Sequence, residues 1–202
     1  MQLRTFTVVD ALQPQVAGFL GTVCVGDPPL PGQAALLVEV APGMAVNRLL
    51  DVVLKQTACV PGLFMVERRY GVLQLHHHDH GQIREAGEII LSELKMVASD
   101  AIAPEVVTAE RITGLDPHQS QLVNRMRHGD LQVPGDTLYV LETKPAGIAL
   151  LAANEAEKAA RISIIEFRAV GEFGRVYLGG DDTAIQLAAG AAVASLAGHS
   201  SR

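Results

Sequence analysis

One short segment of this 202-residue chain concentrates oppositely charged side chains between two apolar runs. The segment reads ERRYG at 67–71, and apolar runs bounded by turn residues are typical of β-strands. It therefore predicts a hairpin, with Gly71 supplying the positive φ that a tight turn needs. The Glu67 carboxylate and the Arg68 guanidinium could form bidentate ion pairs with opposite charges. Two interpretations stay open: a solvated surface turn, or charges that face a shared opening.

The sequence HHHDH at 76–80 raises the question of a metal site, since histidine is a common ligand of zinc and similar ions. Side chains alternate between the two faces of a strand, so only His76 and His78 would project together. No cysteine, glutamate or further histidine lies at a matching spacing. We interpret the segment as the polar end of a strand, followed by Asp79 as the cap of a helix. We expect neither a metal site nor a cofactor.

Catalysis needs a nucleophile, a base and an orienting group, and the sequence shows no such pattern. Ser92, Ser120 and Ser163 stand in no arrangement of this kind, and Cys59 lies between apolar neighbours, as core residues do. The sequence GEFG at 171–174 lacks the lysine and the glycine spacing of a phosphate-binding loop. We therefore expect no catalytic residue and a protein that is not an enzyme.

The elements that would position the charged turn follow from hydrophobic periodicity. Proline is favoured in the first turn of a helix, which places a helix start near Pro14. A single apolar face between 44 and 56 predicts an amphipathic helix before the hairpin. The predicted order is strand 3–9, helix 16–23, strand 34–40, helix 44–56, the hairpin and helix 82–94.

The same order recurs at a constant offset of 103 positions, which aligns turn residues, helix starts and strand ends without a gap. Internal repetition of this kind predicts two tandem domains of one fold, 1–100 and 104–202. Each domain should have the order β-α-β-α-β-β-α, an α/β sandwich whose helices cover a mainly antiparallel sheet. The matched pairs include Pro14 and Pro117, Glu39 and Glu142, Pro42 and Pro145, Lys55 and Lys158, Gly71 and Gly174, and Asp79 and Asp182.

Composition limits the possible partners. Hydrophobic residues make up 49% of the chain but aromatic residues only 4%, which favours closely packed thin layers or apolar surface buried between subunits. The net charge of −6 without a block of like charges argues against nucleic-acid binding.

The sequence shows no signal peptide and no run long enough to span a bilayer, so we expect a soluble, cytoplasmic protein. Cys24 and Cys59 form no CxxC motif and predict buried free thiols.

Each repeat resembles a bacterial microcompartment shell domain. The stretches that carry the resemblance are LVEVAPGMAVNRLLDVVLK and YVLETKPAGIALLAANEAEKA, each followed by a strand, a charged turn and a final helix. The leading MQLRTFTVVDALQPQ is placed as in the circularly permuted members, and the carboxysome tandem-domain shell proteins are the most similar. The resemblance implies a trimeric pseudohexagonal tile, of which two can stack face to face around a cavity.

The resemblance also implies a role for the charged turn. In stacked tandem shell proteins, a Glu and an Arg of this turn line a central pore and switch between open and closed arrangements. Glu67 and Arg68 match that pattern, and three copies around an axis could close the pore by pairing across subunits. The second domain has Gly171, Glu172 and Phe173 at the aligned place, without an accompanying Arg. We therefore expect the gate in the first domain only, with the second turn lining the opening.

Two further surfaces follow from the resemblance. Shell domains keep a lysine at the tile edge, which corresponds to Lys55 and Lys158 here, although a solvated lysine favoured at a helix C-terminus is an alternative. The segment 116–129, with Asn124, Arg125 and Arg127, is a candidate stacking face. The expected partners are further copies of this chain, hexameric and pentameric shell proteins, and metabolites that cross the pore. A trimeric regulator that binds a small anion in the turn is the alternative function.

Overall fold

The computed structural model describes residues 1–199, and these residues divide into two compact units. Unit 1 comprises Met1–Ala103 together with a short tip, Val170–Glu172. Unit 2 comprises Pro104–Ala169 and the described residues from 173 onward. The tip 170–172 is therefore described below as part of unit 1.

Unit 1 contains a four-stranded antiparallel sheet with the strand order β1-β2-β4-β3. A short 3-10 turn, Gly43–Ala45, leads into its second helix, and another, Ala98–Asp100, follows its third helix. Its elements are β1 (Gln2–Val9), α1 (Pro14–Val23), β2 (Ala34–Ala41), α2 (Val46–Leu54), β3 (Val60–Glu67), β4 (Tyr70–His77) and α3 (His80–Leu94).

Unit 2 repeats this architecture with the antiparallel strand order β5-β6-β8-β7. A 3-10 turn, Ala146–Ile148, again leads into the second helix. Its elements are β5 (Glu105–Ile112), α4 (Pro117–Met126), β6 (Thr137–Lys144), α5 (Ala149–Ala159), β7 (Ser163–Arg168), β8 (Gly174–Gly180) and α6 (Asp182–His199). The predicted order β-α-β-α-β-β-α and the tandem α/β sandwich fold are confirmed.

Local sequence signals explain where the helices begin. The Asp79 carboxylate accepts a hydrogen bond from the Gly81 amide at 2.7 Å, and this cap starts α3 at His80, two residues before the predicted start. Asp116 caps α4 in the same way, accepting from the His118 amide at 2.8 Å ahead of Pro117. The Asp79 cap predicted from the sequence is confirmed.

The core of unit 1 lies around β2, all eight residues of which are buried. A strand buried on both faces loses the alternation of apolar and polar residues, which is why the run from Ala34 to Ala41 is almost continuously apolar. Val46, Leu49 and Val53 of α2 pack into the same core. Cys59 is buried there as predicted, whereas Cys24 is only half-buried, contrary to expectation, because it caps the C-terminal end of α1. Among the described residues, no helix is long and apolar enough to cross a membrane.

Candidate functional site

The charged turn is a two-residue β-hairpin loop. Strand β3 ends at Glu67, β4 begins at Tyr70, and these two residues lie directly opposite each other. Arg68 and Arg69 therefore form the loop, and Arg68 has a left-handed backbone with φ of 54°. That conformation is uncommon for residues other than glycine, and single strained residues of this kind cluster at functional sites. The predicted hairpin is confirmed, and its charged residues 67–69 are all exposed.

Gly71 does not supply the positive φ, so that prediction is wrong. Because the loop has only two residues, Gly71 already lies within β4, where it pairs with Val40 and Val66. A Cβ on Gly71 would collide with the backbone carbonyl oxygen of Gly43. The glycine is needed for this close approach between the strand and the 3-10 turn that precedes α2.

A buried ion pair lies beneath the hairpin. Strand β1 carries a β-bulge at Arg4, because Leu3 pairs with Val40 and Thr5 pairs with Glu39 while Arg4 has no partner in the register. The Arg4 Nε donates to Glu39 Oε1 at 2.9 Å, and the Thr5 hydroxyl donates to Glu39 Oε2 at 3.1 Å. The Arg4 and Glu39 side chains are only 3% and 0% exposed. Charges so deeply buried must be paired and hydrogen-bonded.

Arg4 also reaches the two turns. Its guanidinium carbon lies 3.6 Å from the centroid of the Tyr70 ring, a cation–π contact, and its Nη2 donates to the backbone carbonyl of Glu172 at 3.2 Å. The Tyr70 hydroxyl donates to Glu172 Oε2 at 2.8 Å. This hydrogen bond is the main reason that the pKa of Tyr70 is raised above its ordinary value of 10.0. Arg4 and Tyr70 thus hold Glu172 by both its backbone and its side chain.

Glu67 of the first turn lies beside Gly171 of the 170–172 tip. Gly171 has a φ of 100°, and a Cβ added to it would lie 3.1 Å from Glu67 Oε2. Glu67 and Gly171 are therefore neighbours, and Glu172 follows Gly171 in the chain. Arg68 makes no side-chain hydrogen bond or ion pair with the described part of the chain. Phe173, the remaining residue predicted for the second turn, is half-buried in unit 2.

The two candidate edge lysines occupy equivalent, exposed positions. Lys55 follows the last residue of α2, and its Nζ lies 2.7 Å from Asp51 Oδ2. Lys158 is in the last turn of α5, with its Nζ 3.6 Å from Glu155 Oε2. Their side chains are 70% and 64% exposed, so both are free to meet a partner at little cost.

The candidate stacking residues differ in what they contact. The Asn124 side chain donates to the Gln132 carbonyl at 2.9 Å and accepts from the Gln132 amide at 2.8 Å. Arg127 donates to the Gly129 carbonyl at 3.0 Å, so both of these residues hold the loop of their own chain. Arg125 is exposed near the end of α4. It is the residue of the three whose side chain is best placed to meet another molecule.

The histidine-rich segment ends β4 and leads into the capped helix α3, as interpreted from the sequence. His76 is only 2% exposed, its ring lies 3.3 Å from the Gln74 amide, and burial lowers its pKa. Among the residues whose side chains the structure describes, no group of three His, Cys, Asp or Glu could hold a metal ion.

The sequence analysis missed Arg4, Glu39 and Tyr70 as members of the site. A signal was present in β2, where Glu39 interrupts an apolar run and recurs in the second repeat as Glu142. An acid in a fully buried strand needs a charged partner. The partner could not be identified without the strand register, because Arg4 belongs to a bulge.

The fold and these two turns define a class of protein, the microcompartment shell proteins with two permuted domains in one chain. Residues 3–100 match the family model of the CsoS1D N-terminal domain. The carboxysome shell protein CcmP of Synechococcus elongatus is 44% identical over 202 residues, which are 100% of this chain and 95% of that protein.

Two solved structures agree over almost the entire chain. The fused permuted hexameric shell protein MSM0275 of the RMM microcompartment gives a TM-score of 0.97 at 38% identity, covering 100% of both chains. The double ringed trimeric shell protein MSM0271 of the same microcompartment gives 0.94 at 35% identity, covering 98% of this chain and 96% of that one. The chain belongs to the tandem permuted family of carboxysome shell proteins. It is a structural component of the shell and not an enzyme.

Proposed function

We propose that three copies of this chain, each with domains 1–100 and 104–202, form a ring with a gated central pore, and that two rings stack. The repeat supports the ring, because two similar domains in each of three chains restore sixfold geometry, and closed cyclic symmetry is the common arrangement of such assemblies. The relative MSM0271 is itself described as double ringed and trimeric. A stable monomer at micromolar concentration, measured by light scattering, would contradict the ring.

The observation that carries the gate is the left-handed backbone of Arg68 at the exposed tip of a hairpin. Around a threefold axis, three Glu67 carboxylates and three Arg68 guanidiniums would each repel their own kind. Crossed Glu67–Arg68 pairs between subunits satisfy all six charges and close the pore. When the side chains swing apart the pore opens, and Gly171, Glu172 and Phe173 line it further. Small metabolites then cross the shell through this opening.

The wild-type structure of the assembled ring tests the gate. The 67–69 turn should lie at the threefold axis, with Glu67 of one subunit within hydrogen-bond distance of Arg68 of the next in the closed state. A turn that points away from the axis would leave it a solvated surface turn, and the gate would be excluded.

The exposed lysines at equivalent helix ends support a second role, contact between tiles. We expect Lys55→Asp combined with Lys158→Asp to keep the trimer but to weaken sheet formation, since reversed charges would face groups selected for the opposite sign. Electron microscopy of sheets, with light scattering of the soluble form, measures this. Charge reversal at Arg48, an exposed residue of α2 paired with Glu93, is the matched control. Unchanged sheets in the double variant would make the lysines ordinary solvated helix residues.

The stacking of the two rings is assigned to the segment 116–129. Arg125 supplies the exposed charge, while Asn124 and Arg127 act by fixing the shape of the loop. Hexameric and pentameric shell proteins would be the neighbours of the tile in the complete shell.

A further inference from the structure

We infer that Arg4 and Tyr70 are positioning residues that latch the 170–172 tip, so that this tip is the fixed part of the pore rim and the 67–69 turn is the moving part. The inference rests on the proposed pore and deepens it. It says which of the two turns moves, and which side chains decide that.

The latch has two hydrogen bonds and a stacked ring. Arg4 binds the Glu172 backbone carbonyl at 3.2 Å, Tyr70 binds the Glu172 carboxylate at 2.8 Å, and the Arg4 guanidinium lies on the Tyr70 ring. Hydrogen bonds to a charged acceptor are stronger than neutral ones. Because backbone and side chain of Glu172 are both held, neither rotation of its side chain nor movement of its main chain can occur without breaking a contact.

The latch is rigid because its base is buried. Glu39 accepts from the Arg4 Nε, Thr5 donates to the other Glu39 oxygen, and Glu39 is fully inaccessible to solvent. Tyr70 is 6% exposed and begins β4 immediately after the turn. A side chain locked by such packing holds the group it contacts with little freedom.

The repeat shows that the 67–69 turn has no equivalent latch. The positions that correspond to Arg4 and Tyr70, offset by 103, are Val107 and Phe173, neither of which has a side-chain donor. Val107 is the bulge residue of β5, as Arg4 is of β1, and is 41% exposed. In the proposed ring, the 67–69 turn of the next subunit would pack against Val107 and Phe173. These apolar side chains offer packing contact but no hydrogen bond that could anchor the turn.

The latch also limits which charges take part in closing. One oxygen of Glu172 is bound to Tyr70, so that oxygen is already engaged and less available to an Arg68 of another subunit. Glu67 carries no such bond to a tyrosine, and its neighbour Gly171 has no side chain that could restrain it. Glu67 is therefore the acid that can move to pair with Arg68.

Hydrogen exchange on the assembled full-length protein tests the latch. In Tyr70→Phe, which removes one hydroxyl, amides of the 169–174 segment should exchange about tenfold faster than in the wild type. Amides of the 66–69 segment should stay within about twofold. Tyr177→Phe removes the hydroxyl of a tyrosine in β8 and should change neither segment.

Glu172→Gln keeps an acceptor oxygen for Tyr70 and should exchange within about threefold of the wild type, whereas Glu172→Ala should match Tyr70→Phe. Combining Tyr70→Phe with Glu172→Ala should add nothing, because both remove one interaction. Unchanged exchange at 169–174 in Tyr70→Phe would overturn the latch. Equal acceleration at both segments would overturn the division into fixed and moving turns.

The proposed pore is judged separately, from particle images of the same Tyr70→Phe preparation. Images that place the 67–69 turn away from the axis would refute the pore, while the exchange data would still decide whether Tyr70 holds Glu172. Images in which the density of the 170–172 tip weakens while the Glu67–Arg68 pairs persist would support both the latch and the pore.

Discussion

Glu39 and Glu142 occupy equivalent positions in the two repeats but are neutralised in different ways. Glu39 in β2 is fully buried and pairs with Arg4 of the bulge in β1. Glu142 in β6 is 22% exposed and pairs with Arg175, its direct cross-strand neighbour in β8, at 2.8 Å. The equivalent glutamate thus forms a fully buried ion pair in one domain and a partly solvated ion pair in the other. The buried pair is the one that reaches the 170–172 tip, through Arg4.

The two turns, 67–69 and 170–172, also differ in backbone strain. Arg68 and Gly171 are equivalent positions, and both have a positive φ, 54° and 100°. Glycine adopts this conformation without steric cost, whereas arginine does not. The second turn is therefore relaxed and latched, and the first is strained and carries the charge. A strained residue therefore stands where the proposed gate needs a guanidinium.

The largest effect should come from breaking the buried pair. Arg4→Met removes the ion-pair partner of the buried Glu39 carboxylate and should lower the free energy of unfolding by about 3–5 kcal/mol. Arg175→Met breaks the partly solvated pair and should cost less than about 1 kcal/mol. Denaturant unfolding at one fixed protein concentration measures both.

Arg4→Met combined with Glu39→Leu removes both charges and should recover most of the unfolding free energy that Arg4→Met alone loses. Similar losses for Arg4→Met and Arg175→Met would contradict the contrast between the two repeats.

A smaller effect on stability is expected from exchanging glycine and non-glycine residues at the positive-φ position of each turn. Gly171→Ala places a side chain in the left-handed region and a methyl group near the Glu67 carboxylate, so it should cost about 1–2 kcal/mol of stability. Arg68→Gly is the matched control and should be neutral or stabilising by up to about 1 kcal/mol, since it removes strain. If both substitutions destabilise equally, the turns do not differ in strain. Thermal and denaturant unfolding report the change.

The smallest effect is on the Tyr70 titration. Hydrogen bonding to Glu172, followed by burial, raises the pKa of Tyr70, so Glu172→Ala should lower that pKa toward 10.0. Because the folded-state pKa is raised, the stabilisation is fully present below pH 10.0 and is lost as pH rises through the raised pKa. Tyr139→Phe with Tyr177→Phe leaves Tyr70 as the single tyrosine, and tyrosinate absorbance then follows it. An unshifted titration in Glu172→Ala would mean that the Tyr70–Glu172 bond does not form in solution.

Much of the fold could be predicted because its signals are local. The caps Asp79 and Asp116 and the prolines of the helix starts each act within one turn of the chain, and Pro14 and Pro117 begin equivalent helices in the two repeats. The charged hairpin was predictable for the same reason. Glu67 and Arg68 were found as candidates, although their role at a pore stays a prediction.

The remainder of the site depends on register and long-range packing. Gly71 was misassigned because a two-residue loop and a longer one have similar sequences, and only the pairing of Glu67 with Tyr70 separates them. Arg4 was missed because a bulge, which the sequence does not mark, aims its side chain at Glu39 and Glu172. Contacts between residues 168 positions apart have no local signal at all.

The proposed gate requires Glu67 and Arg68 to close the pore together, and structures of the assembled Glu67→Ala and Arg68→Ala variants are its decisive test. Loss of either partner leaves like charges crowded at the axis, so both variants should keep the ring and lose the closed pore. Arg69→Ala, next in the same loop, should still close. An occluded pore of wild-type shape in either Glu67→Ala or Arg68→Ala would show that these two residues do not form the gate.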